Sequence, residues 1–335
     1  MTTGTMSDIA ADTWLRRFLN VYWLRPESAM IFAHDAQMYS KYRAPSERSM
    51  DIGCGDGITS FLLNGGVFAP HFDAYYSVNS RASYRYDTNE NAFVPDAPSD
   101  FYDAYDAKSF TALGEFIEQP PDMRFGCGTD WKQNLLNKAS YLKLYDRLVC
   151  HDSSQPFHFI KDESLAYVFS NTFYWIMPPE AMIREVYRML EPGGVVVATF
   201  PNDNLYRQAA IDRLRVQYHL PWISQLDRGR GEHWQTIGKP RAFWQGLFER
   251  TGFKTVAYEA YFPGRVFEVS EYGLRPLFPS LSRMRELLLQ GDRRAFLEFK
   301  RYWIDNCTHF LLPLLSDPFF DRFEKVYHVF RFEKP

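Results

Sequence analysis

The chain is predicted to fold as an α/β protein whose mostly parallel sheet is covered by helices on both faces, in three layers. Three observations predict it. From Arg48 onward, strand-like and helix-like pieces alternate. Gly194 to Phe200 is a nearly continuous Val-rich run, as a strand buried on both faces should be. Asp51-Ile52-Gly53-Cys54-Gly55-Asp56-Gly57 stands where a first strand should turn into a helix. Glycine lacks a Cβ and tolerates positive φ, so such a turn lets a ligand lie almost against the backbone. The unpaired N–H groups of the following helix face the same place.

The elements follow in order. After Ser7, a suitable N-cap, Trp14, Leu15, Phe18, Leu19 and Tyr22 recur at helical spacing. Arg25-Pro26-Glu27-Ser28 breaks that helix and a second runs towards Tyr42, so residues 1–46 read as a helical cap. Met50 to Gly53 ends the first strand, and Ile58 to Leu63 begins the first helix of the sheet. The next clear strand is Arg124 to Gly128, ending at Thr129-Asp130. Residues 67–122, rich in Asp, Tyr, Asn and Pro, are therefore an insertion where an α/β unit needs only a short loop.

Beyond it, Leu135, Leu136, Ala139 and Leu142 make an apolar helix face, and Arg147 to Cys150 is a short strand ending at His151-Asp152-Ser153. Leu165 to Phe169 is the next strand, ending at Ser170-Asn171. The helix after Pro179 carries Met182, Val186, Met189 and Leu190 and is expected to stop at Glu191-Pro192-Gly193-Gly194, the glycines supplying the helix-ending conformation. Pro240 starts a helix that Gly252 closes, followed by a strand at Lys254 to Tyr261. Residues 263–325 look helical, punctuated by Pro276, Pro279, Pro313 and Pro318, and Val326 to Phe332 reads as a last strand. All 335 residues are taken as one domain.

Composition excludes several classes. A net charge of −3 provides no basic field for nucleic acid. The longest apolar runs fall well short of the roughly 20 residues of a membrane helix, and Met1 to Ser7 is no basic, apolar signal segment; a cytoplasmic protein without a membrane span is expected. Cys54, Cys127, Cys150 and Cys307 lack metal-ligand spacing and read as free thiols. Asp96, Asp100, Asp103 and Asp106 fit no Ca²⁺ loop and read as an exposed acidic stretch, so no metal is expected. The 17% aromatic content suits a ring-shaped substrate cavity and suits extra packing helices equally well. Self-association into a homodimer is left open.

The glycine turn is not the Gly-x-Gly-x-x-Gly of dinucleotide sites, and its leading acid would repel a diphosphate. An acid there suits a ligand carrying an ammonium group, because Coulomb attraction in a partly dry site exceeds that in water. The turn, Ser170-Asn171 after a strand, the Leu190-Glu191-Pro192-Gly193-Gly194 run and the Val-rich strand, in this order, resemble the motifs of the class I S-adenosylmethionine-dependent methyltransferases, in their small-molecule branch. The resemblance covers roughly residues 48–66, 123–262 and 326–335. It implies a Rossmann-like, seven-stranded sheet whose last strand is antiparallel and pairs with Lys254 to Tyr261. It also implies S-adenosyl-L-methionine as cofactor, lying at the carboxyl ends of the first strands.

Carried over by motif, Gly53, Gly55 and Gly57 would face the methionine part, with Asp51 helping to hold its ammonium group. Asp152 and Ser153 would sit at the adenine and Asn171 beside the methionine moiety. Two acids could grip the ribose. Asp73 lies about twenty residues after the glycines, but only Asp130 leaves room for one helix before Asp152, so Asp130 is chosen, with Trp131 available to cover the adenine. As plain structure, Asp130 would be a helix N-cap. The insertions at 67–122 and 263–325 depart from the family pattern and fall where members build acceptor pockets, so the resemblance says least about the acceptor.

Methyl transfer needs alignment, exclusion of water and, for a hydroxyl acceptor, a base. His233, in Gly231-Glu232-His233-Trp234, is the first candidate base, with Tyr174 as a second catalytic candidate and Trp175 lining the pocket. His151 and His158 flank the adenine-side motif, and His151, pointing along a strand, reads as structural. Asp227, Arg228 and Arg230 form a polar turn whose guanidinium groups could grip an anionic substrate group or simply face water. The expected reaction is O-methylation of a sugar-like or other secondary-metabolite small molecule. The alternatives are N- or C-methylation and a non-catalytic, cofactor-binding regulatory protein.

Overall fold

Alternate residues of the Val-rich strand go to opposite sides: Val195 and Val197 join one core, Val196 and Ala198 the other. A pleated strand with helices on both faces requires this two-sided burial, which is why its sequence shows no polar alternation. The computed structural model describes residues 6–44, 46–73, 85–87, 92–94, 113–209, 211–219 and 230–335.

The central sheet has seven strands: Ser49–Ile52 (β1), Phe125–Asp130 (β2), Tyr145–Cys150 (β3), Leu165–Ser170 (β4), Leu190–Pro201 (β5), Lys254–Pro263 (β6) and Lys325–Glu333 (β7). Their order is β6-β7-β5-β4-β1-β2-β3. β1 pairs in parallel with both β2 and β4, and β4 with β5. β7 runs antiparallel between β5 and β6, so the chain has the Rossmann-like sheet with an antiparallel last strand. The order reverses at β1, which places the crevice for a ligand at the carboxyl ends of β1, β2 and β4.

The helical cap is Met6–Val21 (α1) and Pro26–Tyr42 (α2). Ile58–Leu63 (α3) follows the glycine turn, Gln133–Ala139 (α4) joins β2 to β3, and Pro179–Met189 (α5) precedes β5. Arg230–Ile237 (α6) and Arg241–Thr251 (α7) precede β6. Phe278–Leu289 (α8) and Arg293–Ser316 (α9) carry most of the helical insertion, and α9 packs on α1. The insertion at 67–122 is rooted in a ribbon in which Val67–Phe68 pairs antiparallel with Ile117–Gln119.

Two expectations are corrected. Glu191-Pro192-Gly193-Gly194 does not end the helix: α5 stops at Met189, and the run lies inside β5, where the pairing with β4 shifts register between Leu165 and Tyr167. Gly193 takes φ 78° and its N–H bonds the Lys334 carbonyl, a strand irregularity that needs the same glycine as a helix stop. Pro313 does not punctuate the helical region either. α9 passes through it near its carboxyl end, where one missing N–H is tolerated.

The two insertions are tied together by a buried ion pair. The Asp73 carboxylate accepts from Arg285 of α8 (2.9 Å) and from the Trp23 indole (3.2 Å), with Arg285 and Asp73 side chains only 5% and 6% exposed. Asp73 is therefore committed to structure. Lys300 of α9 donates to Asn20 (2.8 Å), to the Pro70 carbonyl (3.1 Å) and to the Phe72 carbonyl, which closes the same corner. Removing one partner of a buried ion pair strands the other, so Arg285→Ala should lose about 3–5 kcal/mol of stability, read as a large drop in melting temperature. An unchanged melting temperature would show that the pair is solvated.

Candidate active site

The turn after β1 is held by its neighbours on both sides. The Ile52 carbonyl accepts from the hydroxyls of Ser170 (2.8 Å) and Thr172 (3.1 Å), which locks the ends of β1 and β4 together. On the other side, the N–H groups of Gly53 and Cys54 both donate to the Thr129 carbonyl at 2.8 Å. Gly53 has φ 74°, and a Cβ there would lie 2.0 Å from Thr172 Oγ1. Gly55, at φ 58°, has nothing within 4 Å of the place a Cβ would take, so it borders open space. Gly57 instead faces protein, with Leu142 and Tyr145 3.0 Å from an added Cβ. Its glycine is required by packing, and it does not open onto the crevice as Gly55 does.

Asp130 ends β2 beside this turn. One carboxylate oxygen accepts from the Gly55 N–H (3.0 Å) and the other from the Lys132 N–H (2.9 Å). The helix cap is Lys132, not Asp130, so the carboxylate is used to join strand end to glycine turn. Burial pushes its pKa up. Trp131 next to it stands 70% exposed. Asp51 is only 1% exposed, and its carboxylate accepts from Tyr145 Oη at 2.7 Å. Burial pushes Asp51 up to about 6, and the charge of Asp130 adds to the rise. Asp56 is likewise raised by burial. Three carboxyl groups thus crowd one turn, and burial raises the pKa of each, while Lys138 opposes the rise at Asp56 and Lys132 at Asp130. The inward turn of Asp51 makes it a source of negative field behind the glycines, with no open face for direct contact.

At the next strand end, Asp152 is exposed and accepts from the Ser154 N–H (2.9 Å), a hydrogen bond that lowers its pKa. Ser153 beside it is buried. His151 bonds the Gln155 carbonyl through Nε2 (3.1 Å) and packs on Phe157, a structural use, while His158 is exposed. Asn171 is half-buried directly after β4. Three other sequence-nominated residues come together here. His233 of α6 stacks on Trp175 with ring centroids 4.0 Å apart, and Tyr174 lies 5.8 Å from Trp175. Asp227 and Arg228 lie outside the described residues, as do Asp96, Asp100, Asp103 and Asp106, and Arg230 is described only as the first residue of α6.

Sequence reasoning missed the groups that α2 brings to this edge. Asp35 is 8% exposed, and its Oδ1 accepts from Tyr261 Oη at 2.6 Å, near the carboxyl end of β6. Its charge reaches Tyr174, whose phenol is pushed up to about 12, chiefly by burial. His34 lies tilted against Phe262, ring centroids 4.6 Å apart. No sequence signal marks Asp35, because its partner lies 226 positions away. Burial pushes Asp35 up to about 7, against an ordinary 3.8. The folded state then binds a proton that the unfolded chain has released, so stability falls as pH rises from about 4 through about 7. Asp35→Asn should therefore gain stability relative to wild type between pH 5 and pH 8 in denaturant melts. An equal difference at both pH values would contradict a buried, proton-binding carboxyl.

No protein-family model matches the chain, and no curated protein matches it. Among solved structures, the [4+2]-cyclase SpnF is 11% identical, covering 90% of this chain and 81% of its own, at a TM-score of 0.44. The Haemonchus contortus phosphoethanolamine N-methyltransferase 2 in complex with S-adenosyl-L-methionine is 14% identical, covering 95% of this chain and 56% of its own, at a TM-score of 0.42. The MccD protein is 11% identical over 90% of this chain and 96% of its own, at a TM-score of 0.40. Likeness at this level assigns no activity to this chain.

Proposed function

We propose that the protein is an S-adenosylmethionine-dependent methyltransferase acting on a small molecule, and that it methylates an oxygen of a sugar-like or other secondary-metabolite acceptor. The observation that carries the reading is the Gly55 turn, open towards the crevice and hydrogen-bonded to a carboxylate at the end of the neighbouring strand. A nucleoside laid across that crevice would meet Asp130 at its sugar and Trp131, Asp152 and Ser153 at its base. Gly53, Gly55 and Asn171 would pass along its amino-acid part. The surplus of carboxyl groups suits a ligand with an ammonium and a sulfonium, and suits a diphosphate badly.

When bound, the cofactor supplies an electrophilic methyl group on a positively charged sulfur. The chain's own residues have to place the acceptor and keep water out. Tyr174, Trp175 and His233 form an aromatic wall beyond Asn171, where a ring-shaped acceptor would stack. Among the described residues no helix is long and apolar enough to cross a membrane, and no group of His, Cys, Asp and Glu is arranged to hold a metal ion.

The reading is tested by following labelled methyl from S-adenosylmethionine into small molecules, proteins and nucleic acids. Transfer to small molecules is expected, and transfer only to macromolecules would overturn the small-molecule part. Because Asp51 is neutral below about 6, binding of the ammonium-bearing product S-adenosylhomocysteine should tighten as pH rises from 5 to 7.5. Calorimetry showing the reverse trend would remove Asp51 from the field that the ligand feels.

A further inference from the structure

Resting on the methyl-transfer reading, we propose that Asp35, not His233, takes the proton from a hydroxyl acceptor, with Tyr261 as the residue that positions its carboxylate. The placement comes from the topology. β1, β4, β5 and β6 all point their carboxyl ends to the same edge, and α2 packs over β5 and β6 on one face of the sheet. Asp35 thereby lies among Tyr261 near the end of β6, Tyr174 in the turn after β4 and Phe262 beside its helix neighbour His34. On the methyl-transfer reading, an acceptor would reach this end of the sheet from beyond Asn171.

Two neighbouring side chains of α2 leave polar atoms open for a further partner. Oδ1 of Asp35 is held by Tyr261, while no donor among the described residues reaches Oδ2. His34, 6% exposed, keeps an Nε2 without a hydrogen-bond partner among the described residues, a state that a buried ring avoids unless something polar completes it. The groups facing Asp35 are Tyr261 from β6, with Tyr327 of β7 behind it, and Tyr174 from the turn after β4. On its own helix stands His34, which burial and the charge of Lys325 keep neutral. No cation is bonded to Asp35 among the described residues, so the carboxylate meets no fixed positive charge that would hold it ionised and weakly basic. Burial raises it to about 7, and the Tyr261 hydroxyl opposes the rise by favouring the ionised form. A base poised near neutrality is matched to its task.

In the step, the Asp35 carboxylate takes the acceptor O–H proton as the oxygen forms its bond to the methyl carbon. The carbon–sulfur bond breaks with its electron pair going to sulfur, which leaves a neutral methyl ether, a neutral thioether and a protonated Asp35. The proton returns to solvent after the products leave.

The test uses the full chain with labelled S-adenosylmethionine and a panel of phenols, catechols and methyl glycosides. Asp35→Asn is expected to bind S-adenosylhomocysteine within about threefold of wild type by calorimetry while losing at least about 100-fold in kcat. The acidic limb of the wild-type kcat/KM profile, near pH 7, should vanish in Asp35→Asn and move to higher pH in Tyr261→Phe, which a merely structural tyrosine would not cause. Retained turnover in Asp35→Asn, loss of the limb on replacing His233 instead, or turnover of none of these hydroxyl compounds by wild type would each overturn the proposal. Failure of the wild type to bind S-adenosylhomocysteine would instead overturn the methyl-transfer reading beneath it.

Discussion

Asp130→Ala is expected to weaken S-adenosylhomocysteine binding by at least about 100-fold, while the variant still melts cooperatively. The carboxylate accepts from the backbone of Gly55 and Lys132 in the free protein and keeps lone pairs free for two hydroxyls. A hydrogen bond to a charged group contributes about 1.5–3 kcal/mol, so losing two of them removes roughly 3 kcal/mol or more of binding. Each 1.4 kcal/mol is a factor of ten, which gives the hundredfold figure. The variant also frees the Gly55 N–H, so the turn that faces the ligand loosens at the same time. Its cost to folding is smaller, because burial of Asp130 already disfavours its charged form. An affinity change below about threefold would mean that the sugar is held elsewhere.

Gly53→Ala should be the most destabilising single change at the site, by about 3–4 kcal/mol, and Gly55→Ala should cost only about 1 kcal/mol. Both positions have positive φ, which penalises any L side chain. At Gly53 the new methyl also falls on Thr172 Oγ1, and Thr172 cannot step aside without giving up its bond to the Ile52 carbonyl. At Gly55 the methyl enters open space, so the fold survives and the ligand is displaced. Thermal melts should therefore separate the two, and calorimetry should show at least about tenfold weaker S-adenosylhomocysteine binding for Gly55→Ala. Adding Thr172→Ala to Gly53→Ala should recover part of the loss but not the backbone term. Equal melting temperatures for the two glycine variants would refute the different surroundings assigned to them.

The sheet was legible because its signals are local. The glycine turn, the Val-rich run of β5 and the apolar face of α5 each declare an element within a few residues, and their order sets the topology. Where one local signal serves two structures, reading failed: Pro192-Gly193-Gly194 suits a helix stop and a strand irregularity alike, and only the pairing of Leu165 with Leu190 decides between them. Connection length separates Asp130 from Asp73 in the sequence, whereas the burial of Asp73 against Arg285 is settled by packing alone. The surroundings of α2 and the turn after β4 were least legible. His233, Tyr174 and Trp175 could be picked out by residue type near a motif, and they do lie together. Asp35 could not, because it sits mid-helix in a cap that reads as plain packing and becomes notable only through Tyr261, on the far side of the chain.

On the reading proposed above, the crevice between the glycine turn and the end of β2 holds an aminoacyl nucleoside by its sugar. A crystal structure of the protein with S-adenosylhomocysteine tests it most directly. The ribose hydroxyls are expected within hydrogen-bond distance of Asp130, with the amino-acid portion passing over Gly55 and the sulfur pointing towards Tyr174. A nucleoside bound away from Asp130, or density at no part of this crevice, would contradict it.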